Sequence, residues 1–426
     1  MTLVLILFFV FLLAGMPVAF AIGIAGFAFF LQESYLPLTM PVQLILSETQ
    51  AFALLAIPMF VFAGNLMNET GITKRLMEFA SVLTGHMHGG IAQVSVVLST
   101  LMGGVSGSAI ADASMQSRIL GPSMTARGYA RGYSAAVNGF TGLITIAIPP
   151  SIGLVLYGSI GEVSVGRLLA GGMVPGLLMA LAFGTTVSIT ARKKGYMPER
   201  EKRAPAKDVG RTFMSSIWAM LFPIFLLVTL RGGLLVPSEA GAMAAVYAVV
   251  VGALIYREMD WKGFWRATKA SVGDTGTIML LIALSALVSY AIKWEMIPQT
   301  LSGFLLGISD NPTVITAVIL LFLLFFGMFM DSTVMILLLT SILVPVIKTL
   351  GINPVFFGVV MVLSCAIGLL TPPVGISMYS VCSIMECSVG EYLREGWPFL
   401  VAVLLVVVLL VLFPQLVLFL PNLLFG

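Results

Sequence analysis

The chain has 426 residues, 59% of them hydrophobic and only 10% charged, with a formal net charge of +3. A mean hydropathy of +1.07 exceeds what a soluble core of any size needs, which excludes a water-soluble enzyme or binding domain and indicates a lipid bilayer as the surrounding medium. Strand-type alternation is absent and no nucleic-acid partner is implied, so the expectation is an all-α polytopic membrane protein.

Apolar runs suited to crossing about 30 Å of hydrocarbon as helix lie near 2–31, 50–67, 133–160, 166–190, 213–236, 240–256, 272–292, 355–385 and 397–420. The opening run MTLVLILFFVFLLAGMPVAF has no basic leader and no small-residue processing site, so it reads as a retained first helix. Segment 191–211 carries eight Lys or Arg, which the positive-inside rule assigns to the cytoplasm. Counting outward puts the amino terminus inside, together with Lys74, Arg75, Arg118 and the group Arg257, Lys262, Arg266 and Lys269. Cys365, Cys382 and Cys387, with only His86 and His88 elsewhere, make no metal-ligand pattern.

The chain repeats itself at an offset of about 220 residues, the pattern expected of a duplicated transporter. GSAIADASM at 107–115 matches GMFMDSTVM at 327–335, IAIPPSIG at 146–153 matches LLTPPVGI at 369–376, and EVSVG at 162–166 matches ECSVG at 386–390. The expected organisation is a first repeat over 1–190, a basic loop over 191–211, a connecting helix over 212–236 and a second repeat over 237–426. The odd connecting helix turns the second half upside down, giving inverted repeats.

Two segments do not fit a simple spanning count. The stretch 91–120 is interrupted at Gly103, Gly104 and Gly107, and its counterpart 313–348 around 327–331. Each reads as a re-entrant hairpin of two half-helices, which lipid tolerates only when the tip is buried in protein or faces water. Two further helices, about 133–160 and 355–385, carry adjacent prolines. Pro149 and Pro150 free the carbonyls of Thr145 and Ile146, and Pro372 and Pro373 those of Gly368 and Leu369. An unpaired carbonyl is costly in hydrocarbon, so a small desolvated cation is a suitable partner. Past each break a helix restarts, with Thr371 placed to cap the second, and its positive amide end attracts an anion. The expected cation ligands are Ser106, Gly107, Asn138, Thr141, Thr145, Ile146, Pro149, Pro150, Asp331, Gly368, Leu369, Thr371, Pro372 and Gly375. The expected substrate contacts are Ser106, Ser108, Asp112, Ser151, Asp331 and Thr333, because an aspartate inside a membrane segment is functional by default.

GSAIADAS followed by IAIPPSIG, then GMFMD followed by GLLTPPVG, with IPMFVFAGNLMNETGI at 57–72 and VPSEAGAMAAVYA at 236–248, resembles the large membrane subunit of the tripartite ATP-independent periplasmic (TRAP) transporters. The resemblance covers essentially the whole chain. It implies a Na⁺-driven importer of organic acid anions in the bacterial inner membrane, of elevator type, with a scaffold supporting a mobile transport domain. It implies two partners: a periplasmic substrate-binding protein, and a small four-helix membrane subunit expected here on a separate chain. Amphipathic stretches near 69–88 and 257–269 would be lateral arms, and Glu239 and Lys293 would face the binding protein. The polar run ASMQSRILGPSM after the first aspartate suggests a hydroxylated acid such as N-acetylneuraminate, with C4-dicarboxylates and other sugar acids as alternatives.

Other classes fit less well. An intramembrane aspartyl protease built on Asp112 and Asp331 lacks the expected G-x-G-D sequence and leaves the proline pairs idle. A channel has no need of two occluded hairpins, and no phosphate-binding G-x-x-x-x-G-K-[ST] loop is present for an ATP-driven permease.

Overall fold

The computed structural model describes residues 2–426 except Ala51, 104–106, Glu201 and Gly233. Among the described residues the regular structure is entirely helical. Six helices among the described residues are long and apolar enough to cross a membrane, or up to eight when each sharply bent pair counts as one span, so the chain is a multi-pass membrane protein.

The amino-terminal run is not one helix. It forms α1 (Thr2–Leu13) and α2 (Val18–Gln32), each shorter than the roughly 20 residues a span requires. Gly15 takes the left-handed φ of +81°, the Met16 N–H closes back onto the Phe11 carbonyl, and Pro17 cannot continue the ladder. Val4 then shares a buried cluster with Ala25, Phe29 and Phe30, so α2 folds back along α1. Next come α3 (Met40–Thr49), α4 (Ala56–Asn68) and the amphipathic α5 (Ile72–Thr84).

The first interrupted segment forms α6 (Gly90–Met102) and α7 (Ala109–Ile119), followed by the short α8 (Gly121–Ala126). The first proline pair separates α9 (Arg131–Ala147) from α10 (Ile152–Ile160) with a bend of 43°. Three long helices follow: α11 (Val165–Lys194), α12 (Ala206–Arg231), and α13 (Pro237–Val249) with its π-helical extension Val250–Ile255. The expected arm at 257–269 is continuous with the 34-residue α14 (Trp261–Trp294). Arg75 on α5 pairs with Glu258 at 2.7 Å and lies 3.9 Å over the Tyr256 ring, while Glu69 meets Arg266 at 2.7 Å.

After α15 (Ile297–Ile308), the second interrupted segment forms α16 (Pro312–Gly327) and α17 (Ser332–Thr349). The second proline pair separates α18 (Pro354–Gly368) from α19 (Ile376–Met385). The last apolar run also divides. α20 (Val389–Leu412) starts earlier than its hydropathy suggests, because Ser388 and Glu391 form a reciprocal cap, and Pro414 ends it before α21 (Gln415–Phe425).

The centre of the molecule is built on α9 and α18. Every residue from Gly132 to Ala147 and from Val355 to Gly368 is buried, the behaviour of helices that must be covered on all sides. Phe140 of α9 stacks on Tyr392 and Phe399 of α20. The first break is thereby buried in protein from Ile148 to Ser151, whereas in the second Thr371 and Gly375 are buried and Pro372, Pro373 and Val374 are exposed.

Candidate functional site

Each interrupted segment presents its tip to a proline break. Gly107 has φ +61°, and a Cβ there would run into the Pro150 carbonyl oxygen, so only glycine lets the first tip lie against the first break. Ser108 follows as the cap of α7, accepting from the Ala111 N–H at 3.5 Å. In the second half a Cβ on Gly368 would collide with the Gly327 backbone. The Val374 and Gly375 N–H groups donate to the Met328 carbonyl at 3.2 and 3.1 Å, tying the second tip to the second break.

The breaks themselves differ from the simplest expectation. Thr371 does not cap α19; its hydroxyl turns back to the Gly368 carbonyl at 3.0 Å, and Gly375 occupies the cap position. The restarted helices begin beyond the prolines, at Ile152 and Ile376. In the second break the freed carbonyls have protein partners. Gly368 accepts from the Thr371 N–H, and Leu369 from the Ser377 and Met378 N–H groups at 3.0 and 3.1 Å. In the first break no backbone N–H among the described residues outside the helix donates to Thr145 or Ile146, and the residues four positions on are prolines. The two breaks are thus chemically unequal.

Both tips and both broken helices line one cavity of about 380 Å³. One wall is Gly107, Ser108, Ile146 and Leu369, with Asp331 and Thr333 at the start of α17. Asp331 caps that helix, accepting from the Thr333 N–H at 2.8 Å. The other wall comes from α4 and α14: Asn65, Asn68, Asp274 and Thr277. The Asn65 amide donates to Asp274 at 3.0 Å and to Ser271 at 3.1 Å. Two carboxylates face the cavity and no Lys, Arg or His is among its lining residues.

Several expected site residues stand behind this wall. Asp112 is 1% exposed and accepts from Ser99 and Gln116, each at 2.8 Å, and from Thr145 at 3.3 Å. Ser95 lies within hydrogen-bonding distance of Gln116, Asn138 (3.0 Å) and Thr141 (2.8 Å). This buried cluster joins α6, α7 and α9. The second Asp112 oxygen has no protein partner among the described residues. Ser151 is buried as the cap of α10, accepting from the Leu154 N–H at 3.3 Å. Ser106 lies outside the described residues. Pro149, Pro150, Pro372 and Gly375 shape the breaks through their backbone. Glu239 accepts from the Val236 N–H at 2.9 Å and so closes the start of α13. Lys293 lines a small separate cavity with Glu48 and Tyr290. The polar run 113–124 does not line the main cavity: Gln116 is in the buried cluster and Ser117 is buried.

Sequence reading did not single out Asn65, Asn68 and Asp274 on the facing wall, or Ser95, Ser99 and Gln116 in the cluster. Asp274 had a usable signal, an acid within the apolar run 272–292.

The model of the family described as "Tripartite ATP-independent periplasmic transporter, DctM component" matches residues 5–416. The chain belongs to this family. This TRAP permease is 35% identical to the sialic acid TRAP transporter large permease protein SiaM of Vibrio cholerae, over 97% of each chain. It is 32% identical to the 2,3-diketo-L-gulonate TRAP transporter large permease protein YiaN of Escherichia coli, over 95% of this chain and 94% of that one. It is also 31% identical to the isethionate TRAP transporter permease protein DctMQ of Oleidesulfovibrio alaskensis, over 95% of this chain and 63% of that protein. The family is a transporter permease, and its relatives carry varied substrates.

Proposed function

We propose that this TRAP permease moves an organic acid anion together with Na⁺ through the cavity where the two hairpin tips meet the two broken helices. The observation that carries the reading is the charge of that cavity. Asp274 and Asp331 face it and no cationic side chain does, so an anion alone would meet repulsion in a poorly solvated space. A co-bound cation reverses that balance, and the amino ends of α7 and α17, which open on the cavity, favour the anion's acid group. The Thr145 and Ile146 carbonyls and Asp331 supply oxygens of the kind a hard cation takes. The second break contributes geometry more than ligands, since its Gly368 and Leu369 carbonyls are already bonded.

In this reading the halves are inverted repeats, α1–α5 and α12–α15 serve as scaffold, and the hairpins and broken helices move against it with the ion and anion enclosed. The solute arrives on a periplasmic binding protein, and a small four-helix membrane subunit supports the scaffold. N-acetylneuraminate is the first candidate solute, supported by the Vibrio relative. A sugar acid, as in the Escherichia relative, or a C4-dicarboxylate is the alternative. An aspartyl dyad is disfavoured because Asp112 and Asp331 have separate hydrogen-bond partners and only Asp331 reaches the cavity.

The test is uptake of radiolabelled acids by the reconstituted complex. N-acetylneuraminate is expected to enter in preference to succinate, and only with Na⁺ outside. Preferential succinate uptake would replace the first candidate with the alternative.

A further inference from the structure

A second cavity, of about 530 Å³, lies where α11 ends and α20 begins. From α11 it is lined by Thr186, Thr190, Lys193 and Lys194, and from α20 by Arg394, Trp397 and Val401. Steps of three and four residues put each set on one helical face. Lys194 is held by Glu395 at 2.7 Å. Lys193 and Arg394 are exposed and pair with no carboxylate among the described residues. The groove therefore carries three cations against one anion.

Its polarity changes along the helices. Beside the cations stands Trp397, 64% exposed, and further from the helix ends are Ile189, 56% exposed, and Val401. Cation, indole and hydrocarbon in that order is the sequence of layers at a membrane interface. The charged end adjoins the basic segment 191–211 and so belongs to the cytoplasmic leaflet, where anionic lipid accumulates. Offsetting the negative carboxyl end of α11 accounts for Arg192, Lys193 and Lys194. It does not account for Arg394 and Trp397 on the neighbouring helix.

We propose that this groove binds an anionic phospholipid, its phosphate taken by Lys193 and Arg394 and its acyl chains lying along Ile189 and Val401. Gln93 of α6 donates to Gly184 and Ser188 of α11 at 2.7 and 2.9 Å, so the lipid sits on a helix bonded to the first hairpin.

The test uses the assembled complex, with lipid retention read by native mass spectrometry after exchange into phosphatidylglycerol or phosphatidylcholine. The intact protein is expected to retain phosphatidylglycerol alone. Lys193→Gln with Arg394→Gln should weaken that binding roughly 30-fold, from two lost phosphate contacts, while the charge-preserving pair Lys193→Arg with Arg394→Lys retains it. Equal retention of both lipids, or an unchanged double Gln variant, overturns the proposal. Displacement by millimolar soluble glycerol phosphate also overturns it, marking a site for free phosphate and not for lipid.

Discussion

Asp331 holds two roles in one side chain: it caps α17 through the Thr333 N–H and it charges the cavity. Substitution separates them. Asp331→Asn keeps a good cap and removes the charge, so the melting temperature should hold while Na⁺-driven uptake falls at least about tenfold; Asp331→Ala should lose uptake and also about 1 kcal/mol of stability. Both variants should still insert and assemble, which co-purification with the small subunit checks. Asp274 stands on the opposite wall with the Asn65 amide as its hydrogen-bond partner. Asp274→Asn should therefore shift the Na⁺ dependence of uptake to higher concentration without unfolding the protein, read from an uptake titration and a melting curve. The buried cluster behaves differently. Ser99→Ala removes a donor from the buried Asp112 carboxylate, and a loss of about 1–3 kcal/mol is expected as a lower melting temperature. Asp331 was legible in the sequence because a charged tip in an apolar segment announces itself. The burial of Asp112 was not, because position alone does not say whether a carboxylate faces a cavity or a donor on its own helix and one on each of two neighbouring helices.

The two breaks illustrate how far a helix pattern carries. Adjacent prolines inside apolar runs gave the location of both interruptions, and glycine-rich or aspartate-bearing tips gave both turns between half-helices. The destination of the freed carbonyls depended on close approaches that a linear pattern does not contain: Thr371 folding back on Gly368, and Ser377 and Met378 reaching Leu369. The same limit applies at the chain start, where hydropathy merged α1 and α2 although Gly15 and Pro17 divide them. At the contact between Gly368 and Gly327 the backbones leave no room for a side chain. Gly368→Val should push the second tip off α18, costing roughly 1–3 kcal/mol and lowering uptake more than solute binding to the separate periplasmic protein. Melting curves and uptake measured on the same preparation test this.

For the whole molecule, the cavity is lined on one side by α4 and α14 and on the other by the two tips and the broken helices. Surface ion pairs such as Glu69 with Arg266 link the end of α4 to α14, but exposed pairs contribute at most about 1 kcal/mol. In the proposed transport cycle the driving force for closing the cavity comes from what enters it. The central claim is that a cation offsets two facing carboxylates so that an organic acid can be enclosed. Its most direct test is transport by proteoliposomes containing this permease, its small subunit and the binding protein loaded with radiolabelled N-acetylneuraminate. Uptake should follow an inward Na⁺ gradient, stop when that gradient is dissipated, and be indifferent to ATP. Uptake that continues at full rate without Na⁺, or that requires ATP, would contradict the account.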